Sequence, residues 1–227
     1  MSRLSGGPAG TGAGGRGARR PVRRGYHHGD LPAALIDQTL SIVRHEGVGA
    51  VSIREVARRA RVSHAAPAHH FGSKAGLLTA CAVVGFEKLA DAVDAAAAAA
   101  ASSRDALQAT GVAYVQFAVD NPELFTIMFS GQLDAELPAY QQAFGRSYSR
   151  LQEILAAASE DGELVADPRV VAAGAWSIVH GLAALWLSGR FRGRNGRSDR
   201  QALIEAVTGL FADGVFGRLQ PPADPAR

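Results

Sequence analysis

From Asp30 onward apolar residues recur at helical spacing, and no stretch alternates in the two-residue rhythm of a strand bounded by turns. Ile36, Leu40 and Val43 fall on one face of a first helix, which Asp30 is placed to cap, with Pro32 in its opening turn. Gly47 is a natural stop. Ser52-Ile53-Arg54-Glu55 has the form of a capping box, and Ile53, Val56, Ala57 and Ala60 mark the apolar face of a short helix behind it. Arg61-Val62 makes a tight link. Ser63 is then placed to cap another short helix over residues 64–70, closed by Phe71-Gly72. Ser73 opens a long helix running from Lys74 to about residue 100. Breaks at Asn121-Pro122, Gly131, Pro138, Asp161-Gly162, Asp167-Pro168 and the Gly189–Asp199 stretch predict further helices near 103–120, 121–130, 136–158, 168–189 and 199–217. The expected fold class is all-α, with about nine helices.

A chain of 227 residues has room for one or two domains with a sizeable core. Its single cysteine, Cys81, excludes an internal disulfide and reads as a small buried residue in a reducing compartment. No apolar stretch follows Met1, so a secretory signal is not expected and the cytoplasm is the expected location. The formal charge of +3 conceals a division. Residues 1–80 hold twelve Lys and Arg against four acids, net +8, which leaves −5 for the remainder. A basic head on an acidic body fits a nucleic-acid partner, although exposed arginines also serve plain solubility. Residues 1–25 are Gly, Ala, Ser, Pro and Arg, and are expected to form a disordered basic arm. Within it Arg19, Arg20, Arg23 and Arg24 either follow a phosphate backbone or remain a solvated tail.

Two short capped helices separated by about three residues make a helix-turn-helix, whose second helix presents its N-terminal side chains to major-groove base edges. YHHGDL at 26–31, SIREVARRARVSHAAP at 52–67 and HHFGSK at 69–74 resemble the DNA-binding domain of the tetracycline-repressor family. The resemblance covers about residues 26–80. It implies a three-helix head that binds a palindromic double-stranded DNA operator. It also implies a helical body that dimerises and binds a small ligand, with the ligand usually releasing the DNA. By the same resemblance Ser52 and Lys74 hold phosphates, and Ser63, His64 and Ala65 occupy the exposed start of the recognition helix. His69 lies further along that helix, while Arg54, Arg23 and Arg24 are additional backbone or minor-groove contacts. Many relatives carry Tyr where this chain has Ala68, which implies weaker or altered operator recognition. His70 is expected to pack under the head rather than reach a base. The spacings of His64, His69 and His70 do not suit a metal, and no metal or cofactor is expected.

Residues 81–217 are the expected ligand-binding and dimerisation body, followed by a flexible tail over 218–227. Tyr114, Phe117, Phe125, Met128, Phe129, Phe144 and Tyr148 cluster in three successive helices, and together with Trp176 and His180 are the candidates for a pocket that takes a small hydrophobic ligand. Core filling is the alternative for each ring. AWSIVHGLAALWLSG at 175–189 resembles a Trp-…-His-Gly signature of one subgroup of the family. Trp176, Gly181 and Leu185, with Leu203, Val207, Leu210 and Phe211 of the last helix, are the candidate homodimer face. Residues 170–189 are also long and apolar enough to span a bilayer, but His180 and Ser177 sit centrally, and a buried dimer helix explains the same string without a membrane. No catalytic constellation is present: there is no G-x-S-x-G, no phosphate loop and no Cys/His pair with an orienting third group. An enzyme is therefore not expected. The remaining rival is a helical dimeric scaffold whose head no longer reads DNA.

Overall fold

The computed structural model describes residues 30–191 and 197–217. The expectations for the arm with Arg23 and Arg24 and for the tail lie outside the described residues. Nine α-helices run among the described residues. They are α1 (Leu31–Glu46), α2 (Ile53–Ala60), α3 (Ala65–Phe71), α4 (Lys74–Ala98), α5 (Ser103–Asp120), α6 (Pro122–Met128), α7 (Pro138–Glu160), α8 (Pro168–Leu187) and α9 (Arg197–Val215). The fold is all-α as expected. A 3-10 turn at Val48–Ala50 and an isolated antiparallel bridge between Leu164 and Phe216 are additions that the apolar pattern does not reveal.

The helix starts are chemically explicit. Ser52, Ser73 and Ser102 accept the amides of Glu55, Gly76 and Asp105 at 3.2, 3.0 and 3.1 Å, and Asp167 accepts that of Arg169 at 2.8 Å. Each satisfies an amide with no partner inside its helix. Pro122, Pro138 and Pro168 open α6, α7 and α8, where a missing N–H costs nothing.

Three local expectations need correction. The capping box at Ser52 is only half formed, because Arg58 and Arg59 take the Glu55 carboxylate at 2.8 and 2.6 Å. Ser63 gives no side-chain cap to α3; the Ala66 amide is held instead by the Ser63 carbonyl, at 3.0 Å, and the helix starts one residue later. In α1 the buried stripe is Leu35, Thr39, Ile42 and Val43, while Ile36 and Leu40 are only partly buried. Thr39 is a polar residue that the apolar pattern skips. It tolerates full burial by donating its hydroxyl to the Leu35 carbonyl at 2.8 Å.

α4 is the shared strut. It packs on α1 and α3 and also carries α5, α6 and α7. One apolar cluster therefore runs from Leu35, Ile42 and Val56 through Leu77, Cys81 and Phe86 to Val115, Ile127 and Leu182. Cys81 lies within it, fully buried, and burial pushes its thiol up to about 12. A second cluster joins Leu107, Leu155, Leu164, Val171 and Ala212 at the ends of α5, α7, α8 and α9. α8 is long and apolar enough to cross a membrane by length and composition, yet only 28% of its most apolar window is buried in the protomer.

Candidate nucleic-acid interface and ligand cavity

α2 and α3 form the helix-turn-helix, joined by Arg61, Val62, Ser63 and His64. Arg61 closes α2 in the left-handed conformation, at φ 57°, which lets its own amide reach the Ala57 and Arg58 carbonyls. It is the one non-glycine residue at positive φ among the described residues. Ser52, Arg54, Ser63, His64, Ala65, Ala68 and His69 are exposed, and Lys74 is partly buried at the start of α4. His70 is exposed too, against expectation, and meets His69 edge-on at 5.4 Å and Phe71 at 6.2 Å. α3 buries Pro67 alone; a seven-residue helix presents too little surface to hide the next turn as well.

The head's cations divide into paired and unpaired. Glu55 takes Arg58 and Arg59, and Arg59 also reaches Glu46. These guanidinium partners hold the Glu55 carboxyl down to about 2. Arg44 pairs with Glu123 of α6 at 2.7 Å. Arg54, Arg61 and Lys74 make no ion pair among the described residues, so their charge is available to phosphates. Arg61 was missed as a candidate. Its place in the tight link between the two short helices is the signal that marks it.

Behind the head, α4, α5, α7, α8 and α9 with the end of α6 enclose a cavity of about 80 Å³. Of the expected pocket residues, Tyr114, Phe129, Phe144, Tyr148 and Trp176 line it. Phe117, Phe125 and Met128 do not; they are buried in the surrounding core. His180 stands behind the wall. The Tyr114 hydroxyl lies 3.0 Å from His180 Nδ1 and accepts from Trp176 Nε1–H at 3.4 Å. Burial pushes the Tyr114 phenol up to about 12 and the His180 imidazole below its usual range, so both are neutral at pH 7. A neutral imidazole can accept the phenolic proton at Nδ1. The His180 ring stacks on Phe125 at 5.2 Å and meets Phe129 edge-on at 4.6 Å, which ties α8 to α6.

Sequence reasoning missed the α4 wall of Phe86, Leu89 and Val93, together with Thr110, Arg150, Ala175, Val179 and Thr208. The i, i+3, i+7 spacing of the α4 residues was legible, but nothing in it separates a cavity wall from solid core. The expected α9 dimer face divides. Phe211 lines the cavity and Val207 packs on the main core, whereas Leu210 is 75% exposed and Leu203 is partly buried. Positions 210 and 211 lie 100° apart on a helix, far enough for Leu210 to face out while Phe211 faces in. On α8, Trp176 likewise faces the cavity, while Leu185 is 45% exposed and Gly181 looks into open space.

Comparison with known proteins gives consistent matches. Residues 35–81 match the family model described as bacterial regulatory proteins, tetR family, and residues 107–211 match the tetracyclin repressor-like C-terminal domain. The HTH-type transcriptional regulator BetI of Rhizobium meliloti (strain 1021) is 40% identical over 89 residues, which are 39% of this chain and 40% of that protein. The chain thus aligns with well under half of that relative's length. A solved protein of unknown function from Rhodococcus sp. RHA1 is 30% identical with a TM-score of 0.72, over 86% of this chain and 100% of that one. A TetR family transcription regulator from Marinobacter aquaeolei VT8 shares the fold at 20% identity and a TM-score of 0.66, over 82% of this chain and 96% of that one.

Proposed function

This chain belongs to the tetracycline-repressor family of bacterial regulators, and from that premise we propose that it is a homodimeric repressor released from a palindromic operator by a small hydrophobic ligand. The observation that carries the reading is one chain holding both an exposed helix-turn-helix and an aromatic cavity, with α6 between them. Phe129 closes α6 on the cavity side, and Glu123 in its first turn pairs with Arg44 of α1. A ligand that displaces Phe129 thereby bears on the helix that supports the head. Release is a population shift, driven by the ligand's preference for the state in which Phe129 is displaced.

In this reading the DNA contacts are Ser52, Arg54, Ser63, His64, Ala65, His69 and Lys74, joined by the arm's Arg23 and Arg24. Arg61 adds charge beside them. The dimer face is the outward side of α8 and α9, where Val170, Leu185 and Leu210 are exposed at 65%, 45% and 75%. Gly181 lies on the same side of α8 as Leu185 and permits close approach of a partner helix. Two such helices from each protomer make a four-helix bundle and cover the apolar surface that α8 leaves bare in one protomer.

The test is fluorescence anisotropy against duplex DNA from upstream of the protein's own coding region, titrated with salt and random competitor. Two protomers bound per site, surviving competitor, is the expected result. Weak binding that disappears with salt and shows no sequence preference would refute operator recognition. It would instead favour a helical scaffold, for which Ala68 is the relevant departure. Retention on membranes in high salt would assign the bare α8 surface to lipid.

A further inference from the structure

Every polar group on the cavity wall but one already has a protein partner. Thr110, Ser147 and Thr208 donate their hydroxyls to the carbonyls of Leu107, Phe144 and Ile204 at 3.0, 2.8 and 2.8 Å. Tyr114 and Trp176 satisfy each other and His180. The exception is Tyr148. It lies at the boundary where the cavity meets an outer groove between α7 and α8, and its hydroxyl is not among the buried unsatisfied atoms, so solvent reaches it. Inside the cavity, then, every side-chain donor is spent, and what remains are lone pairs on hydroxyls that already donate elsewhere.

Charge is excluded as well. Arg150 is the one charged residue on the lining, and it is committed twice, to Asp94 at 2.9 Å and to Glu153 at 2.6 Å. With Arg146, which bonds Asp91 and Asp94, these groups form a cluster of three acids and two cations, net −1. An anionic ligand would have to strip Arg150 from two carboxylates in a net-negative cluster. A cationic ligand would meet the guanidinium itself. Either charge, buried unpaired, carries a large penalty.

The wall does offer ring edges and faces. Phe86 stands edge-on to Phe129 and Phe144 at 5.9 and 5.4 Å, and Trp176 tilts against Phe144 and Tyr148 at 6.2 and 5.9 Å. Such arrays accept another ring in the edge-to-face geometry that aromatic pairs prefer. At about 80 Å³ the space is smaller than the roughly 150 Å³ cavity known to take benzene, so even a single ring must part the walls.

We infer that the cavity takes an uncharged aromatic molecule without a hydrogen-bond-accepting head group. This rests on the reading above only in taking the cavity as the ligand site. Equilibrium dialysis of the full chain with toluene, benzoate, benzylammonium and methylcyclohexane tests it. Toluene should bind saturably, with both ions at least about 100-fold weaker, as expected for burying an unpaired charge. Methylcyclohexane should be several-fold weaker than toluene. Ala175→Leu, which narrows the cavity, should lose toluene while keeping its helical circular dichroism. If that variant does not fold, Thr110→Val replaces it: removing a hydroxyl that no ligand uses should tighten toluene. Saturable benzoate or benzylammonium binding as tight as toluene, methylcyclohexane binding as tight as toluene, absence of toluene binding, or weakening by Thr110→Val would each overturn the inference. Operator affinity is measured in the same samples. Toluene bound without release of DNA would leave the ligand class standing and defeat the release reading. Benzoate that occupies the cavity and releases DNA would do the reverse.

Discussion

At the level of single residues the head is defined by which cations are spent. Lys74 has no ion-pair partner among the described residues and opens α4 directly behind the helix-turn-helix. If it neutralises one phosphate, Lys74→Ala weakens binding to all DNA sequences alike and lowers the magnitude of the salt slope by about one. An unchanged slope in a salt titration would remove Lys74 from the interface. Glu55 works from the opposite side, holding Arg58 and Arg59 against α2. Its carboxyl is lowered from 4.5 to about 2, so its contribution to stability is fully present above pH 4.5 and is lost as pH falls toward 2. Glu55→Gln should therefore melt below the parent at pH 7, with the gap closing as both are acidified to about pH 2. A gap that is constant across a pH series of melting curves would show that the ion pairs contribute nothing.

Among elements, the interior glycines of helices make opposite predictions according to what stands beside them. Gly145 of α7 has open space where a Cβ would sit, so Gly145→Ala should stabilise by about 0.5–1 kcal/mol through helix propensity alone. At Gly85 of α4 a Cβ would fall 2.5 Å from Met128 Sδ and 2.9 Å from its Cγ, where α4 and α6 cross. Gly85→Ala should gain the same propensity yet lose about 1–3 kcal/mol to overpacking, for a net destabilisation in urea titrations. Equal effects at the two sites would deny the close crossing. The two glycines look alike in sequence, which shows where reading the chain stops. Caps and prolines act within one turn, so the helix starts at Ser52, Ser73, Asn121-Pro122 and Asp167-Pro168 were legible almost to the residue. Facing depends on partners distant in sequence. Thr39 inside, Phe211 on the cavity and Phe125 in the core beside it are settled by how helices cross, and periodicity fixes a face only to within a turn's width. The head's helix order was therefore readable, but the buried stripe of α1, the start of α3 and the exposure of His70 were not. Of the cavity, the aromatic half on α5 to α8 was readable, but the α4 wall was not.

For the whole molecule, the proposed release requires that the cavity and the head share a free energy, and few described contacts can carry it. α4 is common to both, so it is the rigid reference rather than a unique messenger. α6 is seven residues long and has the cavity at one end and α1 at the other. Arg44 to Glu123 is the single ion pair joining α1–α3 to α5–α9 among the described residues, and the Glu123 side chain is only 13% exposed. Arg44 also holds the Glu123 carboxyl below its usual range, so the pair is intact at neutral pH. Glu123→Gln keeps the shape of the side chain and removes its charge. It should bind toluene and DNA separately nearly as the parent does, because neither site contains it. What should fall is the ratio of operator affinities without and with toluene, a coupling that is typically 5- to 150-fold in such systems. A partly exposed ion pair is a modest contribution, so the ratio should drop by up to about five-fold. Anisotropy titrations of parent and variant, each with and without saturating toluene, measure it directly. If the ratio is unchanged while both single affinities hold, the cavity communicates with the head through α4 packing, and the Arg44–Glu123 link only positions α1.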